Sequence, residues 1–486
     1  MKNYKTKTIN IGRVKIGSGN KIAIQSMTNT KTSNIKETIA QVNELFSKGC
    51  DIVRVAVADT EDANALAYIT RVATGPIVAD IHFDYKLALL AIDNGISKLR
   101  LNPGNITNSE HIKLIVDKCK EKNIPIRIGV NSGSINKEIY KKYGNTPKAL
   151  VESAKEHIKI LEDLDFYDIV ISVKASDVVK TVEAYKLLAS EYNYPLHLGV
   201  TEAGLEYSGL VKSSIALGSL LLDDIGDTIR VSLTDDPVKE VKAAIEILSS
   251  IDKYEKPKLI SCPTCGRCEY NMMPIANEIN EYINTLNGNF KVAVMGCVVN
   301  GPGEAKEANI GIAGGKNCAV LFKNGEVITK LSSDIILDVL KKEIYMLANN
   351  YTYKIENKLT QDIIDLRNEV FVEEQGFTVE FDELDNISKY AVIYHNEKVI
   401  GVGRIYEDAD VSHIGRICVK KSYRKNKIGS LLLMLLERYA KPTIELEAQD
   451  RVSEFYEKNG YVKTDIYSYE DDVKHVKMIK TINNIK

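Results

Sequence analysis

Three cysteines and a glutamate stand in two segments rich in glycine and proline: Cys262 and Cys265 in Ser-Cys-Pro-Thr-Cys-Gly-Arg, then Cys297 and Glu304 in Gly-Cys-Val-Val-Asn-Gly-Pro-Gly-Glu. Pro263, Gly266, Gly301, Pro302 and Gly303 favour turns, so each segment can bend back and aim its donors at one point. Thiolates select zinc or iron-sulfur clusters. Cys262, Cys265, Cys268 and Cys297 would close a four-thiolate zinc site, and the C-x2-C-x2-C run of the first three is also the spacing of a ferredoxin-type cluster loop. A carboxylate from Glu304 on one iron would instead leave that iron exchangeable, which suits activation of a substrate better than electron carriage.

A second set of charged residues lies inside apolar runs. Arg54, Arg100, Arg127 and Arg230 each sit between two aliphatic residues, and Lys174 lies between Val173 and Ala175. Strand side chains alternate faces, so if the flanking aliphatics pack outward these cations point to one interior. Buried unpaired cations are costly and need an anion. Asp80, His82, Asn131, Glu202 and Ser232 fall at or near the ends of the same runs. An internal salt-bridge network with Asp80 and Glu202 would satisfy part of the charge. Five basic positions outnumber those two carboxylates, which favours a bound diphosphate, the ligand that Arg and Lys hold well.

The elements that must position these residues read as alternating strands and helices over the first 250 or so positions. Strand-length apolar runs recur from Lys21, Asp51, Pro76, Lys98, Pro125, Asp168, Pro195 and Thr228, with amphipathic helical stretches between them, such as Asn34 to Lys48 and Pro147 to Asp163. Eight such units predict an α/β fold of the (β/α)8 TIM-barrel type, whose active site lies at the C-terminal strand ends. A doubly wound open sheet is the alternative. The 486 residues predict two to four domains, and 44% hydrophobic residues are enough for their cores. A formal charge of -2 gives no footprint for nucleic acid. The N-terminus lacks the apolar stretch of a signal peptide, no run approaches the roughly 18 apolar residues of a membrane span, and the eight cysteines follow no secretory pattern. A cytoplasmic protein with no membrane partner is expected.

Cys-Pro-Thr-Cys-Gly-Arg with Gly-Cys-Val-Val-Asn-Gly-Pro-Gly-Glu resembles the 4-hydroxy-3-methylbut-2-en-1-yl diphosphate synthase family of the methylerythritol phosphate pathway, over about the first 345 residues. The resemblance implies a 4Fe-4S cluster held by Cys262, Cys265, Cys297 and Glu304, with Cys268 outside the pattern. It likewise implies that Arg54, Arg100, Arg127, Asn131, Lys174, Arg230 and Ser232 bind substrate, joined by Asn300. Glu202 is the implied proton donor, supported by Asp80 and His82, although His82 equally suits a plain strand-end role. Reduced flavodoxin or ferredoxin as electron donor, and a homodimer in which one subunit's barrel faces another's cluster, follow from the resemblance alone. The implied reaction is the two-electron reductive opening and dehydration of 2-C-methyl-D-erythritol 2,4-cyclodiphosphate. The predicted division is a barrel over 1–255 and an α/β cluster domain over 256–348.

A third region, 352–486, has the size of one α/β domain. Arg367-Asn-Glu-Val-Phe-Val-Glu-Glu-Gln-Gly-Phe, Val399-Ile-Gly-Val-Gly-Arg-Ile-Tyr and Ile417-Cys-Val-Lys-Lys-Ser-Tyr-Arg together resemble the GNAT superfamily of acyl-CoA N-acetyltransferases. Arg424, Lys425, Asn426, Lys427, Ile428, Gly429 and Ser430 precede or open an apolar helix, and a helix N-terminus attracts phosphate. The resemblance makes this loop the acetyl-CoA pyrophosphate site, Val419 part of the strand that pairs with pantetheine, and Tyr456 the general acid. The family's loop usually has glycine at the place of Lys427. Tyr456 reads equally as a packing residue, and the whole region as a degenerate binding module; the preceding part has a cluster-bearing or zinc-bearing binding protein as its own alternative.

Overall fold

The computed structural model describes residues 5–482 except 83, 107, 298–302, 304, 317 and 333. The chain divides into two compact units, Met1–Tyr254 and Glu255–Lys486. No helix among the described residues is long and apolar enough to cross a membrane.

The first unit is the expected barrel. A hairpin of β1 (Ile9–Ile11) and β2 (Val14–Ile16) precedes eight parallel strands: β3 (Ala23–Met27), β4 (Ile52–Ala56), β5 (Ile77–Asp80), β6 (Lys98–Arg100), β7 (Ile126–Asn131), β8 (Ile169–Lys174), β9 (His197–Leu198) and β10 (Thr228–Ile229). Their order is β8-β7-β6-β5-β4-β3-β10-β9, and a parallel bridge from Ile171 to Leu196 brings the first and last strands together. β-Branched residues such as Ile169 and Ile171 favour extended backbone and pack on the surrounding helices. Side-chain caps start those helices: Asp59 accepts from Asp62 N, and Thr146, followed by Pro147, accepts from Ala149 N. Ile9, Ile11 and Ile16 of the hairpin pack with Ala23, Ile52, Val78 and Val170 near the strand starts, which closes that end of the barrel.

The second unit holds two sheets. β11 (Lys258–Ser261), β12 (Lys291–Met295), β13 (Ile310–Gly315), β14 (Cys318–Lys323) and β15 (Glu326–Ser332) lie in sequence order, the first three parallel and the rest antiparallel. The other sheet comprises β16 (Tyr351–Glu356), β17 (Lys389–His395), β18 (Lys398–Asp408), β19 (Val411–Val419), β20 (Thr443–Gln449), β21 (Val462–Glu470) and β22 (Val473–Thr481), in the order β16-β17-β18-β19-β20-β22-β21. One apolar core runs from Ile279 and Leu340 through Tyr351 to Leu432 and Leu435, so the two sheets are not separated by a solvated linker. Within it Arg438 donates to buried Glu343 at 2.6 Å and to the Tyr353 hydroxyl at 3.3 Å.

Candidate active sites

Alternation along the barrel strands turns the cations inward. Arg127 is 2% exposed, and Arg100 and Lys174 are each 7% exposed. At the end of β5, Asp80 accepts from Arg100 at 3.0 Å and lies 3.5 Å from Arg54, whose Nε and Nη2 also face Met27 Sδ. The half-exposed His82 ring reaches Arg100 Nη1 at 3.2 Å through Nδ1. Lys174 Nζ stands 3.4 Å from His197 Nε2, and His197 Nδ1 meets Thr228 Oγ1 at 2.8 Å. Two strand glycines make room for these long side chains: a Cβ at Gly199 would lie 2.5 Å from Lys174 Nζ, and one at Gly129 would lie 3.0 Å from Arg100 Nε.

The counter-charges differ from the sequence-based expectation. Glu240, in the helix Pro237–Ser250, is 4% exposed; it bonds Arg230 at 3.3 Å and also accepts from Ser26 Oγ and Leu233 N. Lys98, fully buried on β6, donates to Gln25 Oε1 at 3.1 Å. Sequence reasoning missed both residues. Lys98 is two positions before Arg100 and shares its face, a period-2 signal that was available; a helical glutamate such as Glu240 ordinarily reads as a solvated face. Glu202 occupies an exposed bend after β9 with φ 52°, and no hydrogen bond or ion pair among the described residues ties it to the cations. Asn131 ends β7, where its backbone N–H and C=O both bond the Ser134 hydroxyl, and Ser232 is half-buried just beyond β10.

Six buried or nearly buried cations thus face Asp80 and Glu240. Burial pushes the Asp80 carboxyl up, but Arg54, Arg100 and Arg127 outweigh it and hold the group below the usual carboxylate range. Burial first, and neighbouring guanidinium groups second, drive Lys98, Lys174 and Arg127 well below their ordinary values. Arg127 Nε and Nη2 and Arg100 Nε are buried with no protein hydrogen-bond partner among the described residues. Orphaned guanidinium donors in a cationic cluster are chemically matched to a polyanion.

In the second unit the cysteine loops meet because β11 and β12 are adjacent and parallel, so residues just past their C-terminal ends become neighbours. Gly296 N donates to Cys262 Sγ at 3.1 Å, immediately before Cys297. A Cβ at Gly296 would lie 2.9 Å from Cys268 Sγ and 3.5 Å from Cys262 Sγ, so Cys268, expected outside the ligand set, lies against the same glycine as Cys262. Backbone and side-chain hydrogen bonding with Arg267 holds the exposed Cys265 thiol below its ordinary value, favouring thiolate. Among the described residues no three His, Cys, Asp or Glu side chains converge on one point. Glu304 and Asn300 lie outside the described residues. The donor chemistry, thiolates beside an obligatory glycine, fits a soft metal cluster. Cys50, Cys119 and Cys418 are core thiols pushed by burial to about 12.

The region after Tyr351 places its own candidates around a split sheet. β19 pairs with β20 only from Val411 to His413, then diverges, so the edge near Ile417 and Val419 is left open toward β20. Arg424 is bound bidentately by Glu374 at 2.6 Å and donates to Val419 O. Lys425 and Lys427 both have left-handed φ, 68° and 58°, on either side of Asn426. Such alternation forms a concave run of N–H groups that suits an anion. The helix Ile428–Glu437 begins there without a side-chain cap, and Gly429 is required because a Cβ would lie 2.8 Å from the Phe455 ring. Ser430 lies in its first turn. Tyr456 packs edge-on against Tyr461, with centroids 6.0 Å apart; burial raises its phenol and keeps the proton on.

These arrangements agree with three family models: the GcpE TIM-barrel domain over residues 6–245, the GcpE protein C-terminal domain over 258–346, and the acetyltransferase (GNAT) domain over 358–482. The chain is 53% identical over 346 residues to 4-hydroxy-3-methylbut-2-en-1-yl diphosphate synthase (flavodoxin) of Clostridium perfringens, covering 71% of this chain and 99% of that protein. It is 54% identical over 341 residues to the protein of the same name in Fusobacterium nucleatum, with 70% and 96% covered. A crystal structure of an acyl-CoA N-acyltransferase from Pseudomonas aeruginosa aligns at 22% identity and a TM-score of 0.25, covering 27% of this chain and 99% of that one. The barrel and the thiolate loops together thus belong to a chain of the 4-hydroxy-3-methylbut-2-en-1-yl diphosphate synthase family, which continues into a GNAT acetyltransferase domain.

Proposed function

We propose that residues 1–255 bind 2-C-methyl-D-erythritol 2,4-cyclodiphosphate and that residues 256–348 support its two-electron reductive opening, with loss of water, to 4-hydroxy-3-methylbut-2-en-1-yl diphosphate. Arg54, Arg100, Arg127, Lys174 and Arg230 grip the diphosphate, and Asn131, Ser232 and Asn300 position the carbon skeleton. Asp80 and His82 orient Arg54 and Arg100, while Glu202 donates the proton to the departing hydroxyl. Cys262, Cys265, Cys297 and Glu304 would hold a 4Fe-4S cluster, which supplies single electrons and a Lewis-acidic iron. Flavodoxin, part of the name of the relatives given above, or a ferredoxin is the donor, in a cytoplasmic homodimer. Residues 352–486 transfer acetyl from acetyl-CoA to an amine; the loop from Arg424 to Ser430 binds the pyrophosphate, and Tyr456 protonates the leaving thiolate.

The observation that carries the first reading is the buried Arg127 guanidinium, whose Nε and Nη2 have no protein hydrogen-bond partner among the described residues. Arg127→Met tests it with a change of opposite sign in two readouts. Removing this buried, incompletely hydrogen-bonded charge should raise stability by about 1–4 kcal/mol, measured by chemical denaturation, while substrate affinity falls at least about tenfold. Unchanged affinity would sink Arg127 as a phosphate ligand.

A further inference from the structure

Acyl-CoA has two ends, and the loop from Arg424 to Ser430 accounts only for the pyrophosphate at its middle. The pantetheine arm has the opening between β19 and β20 to enter. The adenosine, with its 3′-phosphate, must leave the pyrophosphate in another direction. A cavity of about 950 Å³ within the second unit begins at this loop, sharing Lys427 and Ser430 with it, and includes neither Ile417 nor Val419. It runs along the Ile428–Glu437 helix past Met434. Its volume is near the upper end of the roughly 300–1,000 Å³ typical of small-molecule sites.

The opposite wall comes from the segment preceding the acetyltransferase region. Tyr345 and Lys342 of the helix Ile336–Ala348, and Lys330 and Ser332 of β15, line it. Seven Lys or Arg and three Asp or Glu are found among the described lining residues. Five of these cations are already ion-paired, Lys341 with Glu278, Lys342 with Asp338, Arg438 with Glu343, Lys458 with Glu454 and Lys480 with Glu437, which leaves Lys330 and Lys427 without an ion pair among the described residues. The Tyr345 ring carries Lys427 Nζ 5.1 Å from its centroid, which sets an aromatic face beside a cation at the cavity's entrance. Ser332, 8% exposed, contributes a buried hydroxyl with no hydrogen-bond partner among the described residues. An aromatic face, the two cations Lys330 and Lys427 and an unsatisfied hydroxyl match a purine nucleotide carrying an extra phosphate.

We propose that the adenosine 3′-phosphate end of an acyl-CoA binds in this cavity, against the Ile336–Ala348 helix and β15, so that the acetyltransferase region's cofactor is gripped in part by the cluster-domain segment. This rests on the acyl-CoA reading given above. Occupancy of the acetyltransferase site then ties the two segments together more firmly.

The test is equilibrium titration of the full chain with CoA and with 3′-dephospho-CoA, for the parent, Lys330→Glu and Tyr345→Ala. The parent should bind CoA about tenfold more tightly than 3′-dephospho-CoA, as expected for one charge-assisted phosphate contact. Lys330→Glu, an exposed strand position, should abolish most of that preference while leaving 3′-dephospho-CoA affinity as in the parent. Tyr345→Ala should weaken both ligands about fivefold through lost stacking, and Tyr345→Phe should restore them. CoA binding that neither substitution alters would place the nucleotide elsewhere and overturn this proposal alone. No CoA binding by the parent would overturn the acyl-CoA reading and this proposal with it.

Discussion

Lys98 and Lys174 carry the clearest chemical consequence at the level of single residues. Both amines are held well below the ordinary lysine value, first by burial and then by adjacent guanidinium groups. Below that ordinary value the folded state therefore binds fewer protons at these positions than the unfolded chain, and their contribution to stability rises with pH. An anion at Lys174 reverses the balance by favouring the ammonium form. Diphosphate binding should accordingly take up protons, and affinity should fall as pH rises toward the ordinary lysine range. Calorimetry in buffers of different ionisation enthalpy measures this directly; net proton release would contradict it. Much of this site was legible in the sequence, because a charge between aliphatic neighbours, as at Arg127 in Ile-Arg-Ile, stands out against a strand pattern. Lys98 was missed because a lysine opening an apolar run looks like a solvated strand end. Glu240 could not be found at all without the fold, since its role depends on which helix face meets Arg230.

At the level of elements, local pattern and local geometry agree for most of the barrel. The runs from Pro195 and Thr228 form ladders of only two residues each, although backbone bonds continue past them, from Arg230 N to Leu198 O and from Thr201 N to Ala175 O. The loop at Lys427 shows a similar conflict. Its φ of 58° is a conformation that glycine adopts readily and a side chain resists. Lys427→Gly should therefore stabilise the second unit by about 1 kcal/mol, read from the denaturation midpoint. CoA affinity should drop modestly as the cation is lost. Equal or lower stability would mean that the Lys427 contact with Tyr345 already offsets the strain. The close approach of Cys268 to Gly296 was hidden for another reason: it depends on β11 and β12 being neighbours, and spacing along the chain does not report that.

For the whole molecule, the continuous core of the second unit matters more than its division into matched families. Glu343 is almost fully enclosed, and Arg438 is its ion-pair partner across the two segments. Arg438→Ala leaves that carboxylate buried without its cation, at a cost of about 3–5 kcal/mol. Hydrogen exchange should then show protection falling in both β11–β15 and β16–β22; a loss confined to the second sheet would show that the segments unfold independently.

The hairpin that packs Ile9, Ile11 and Ile16 against the strand starts makes the barrel a cup rather than a tube. Substrate and product must use one rim in turn, past the same guanidinium and ammonium groups. Both carry two phosphate groups, so whatever strengthens capture also slows departure. Traffic through a single doorway sets an upper limit on how tightly those cations can usefully hold what they bind.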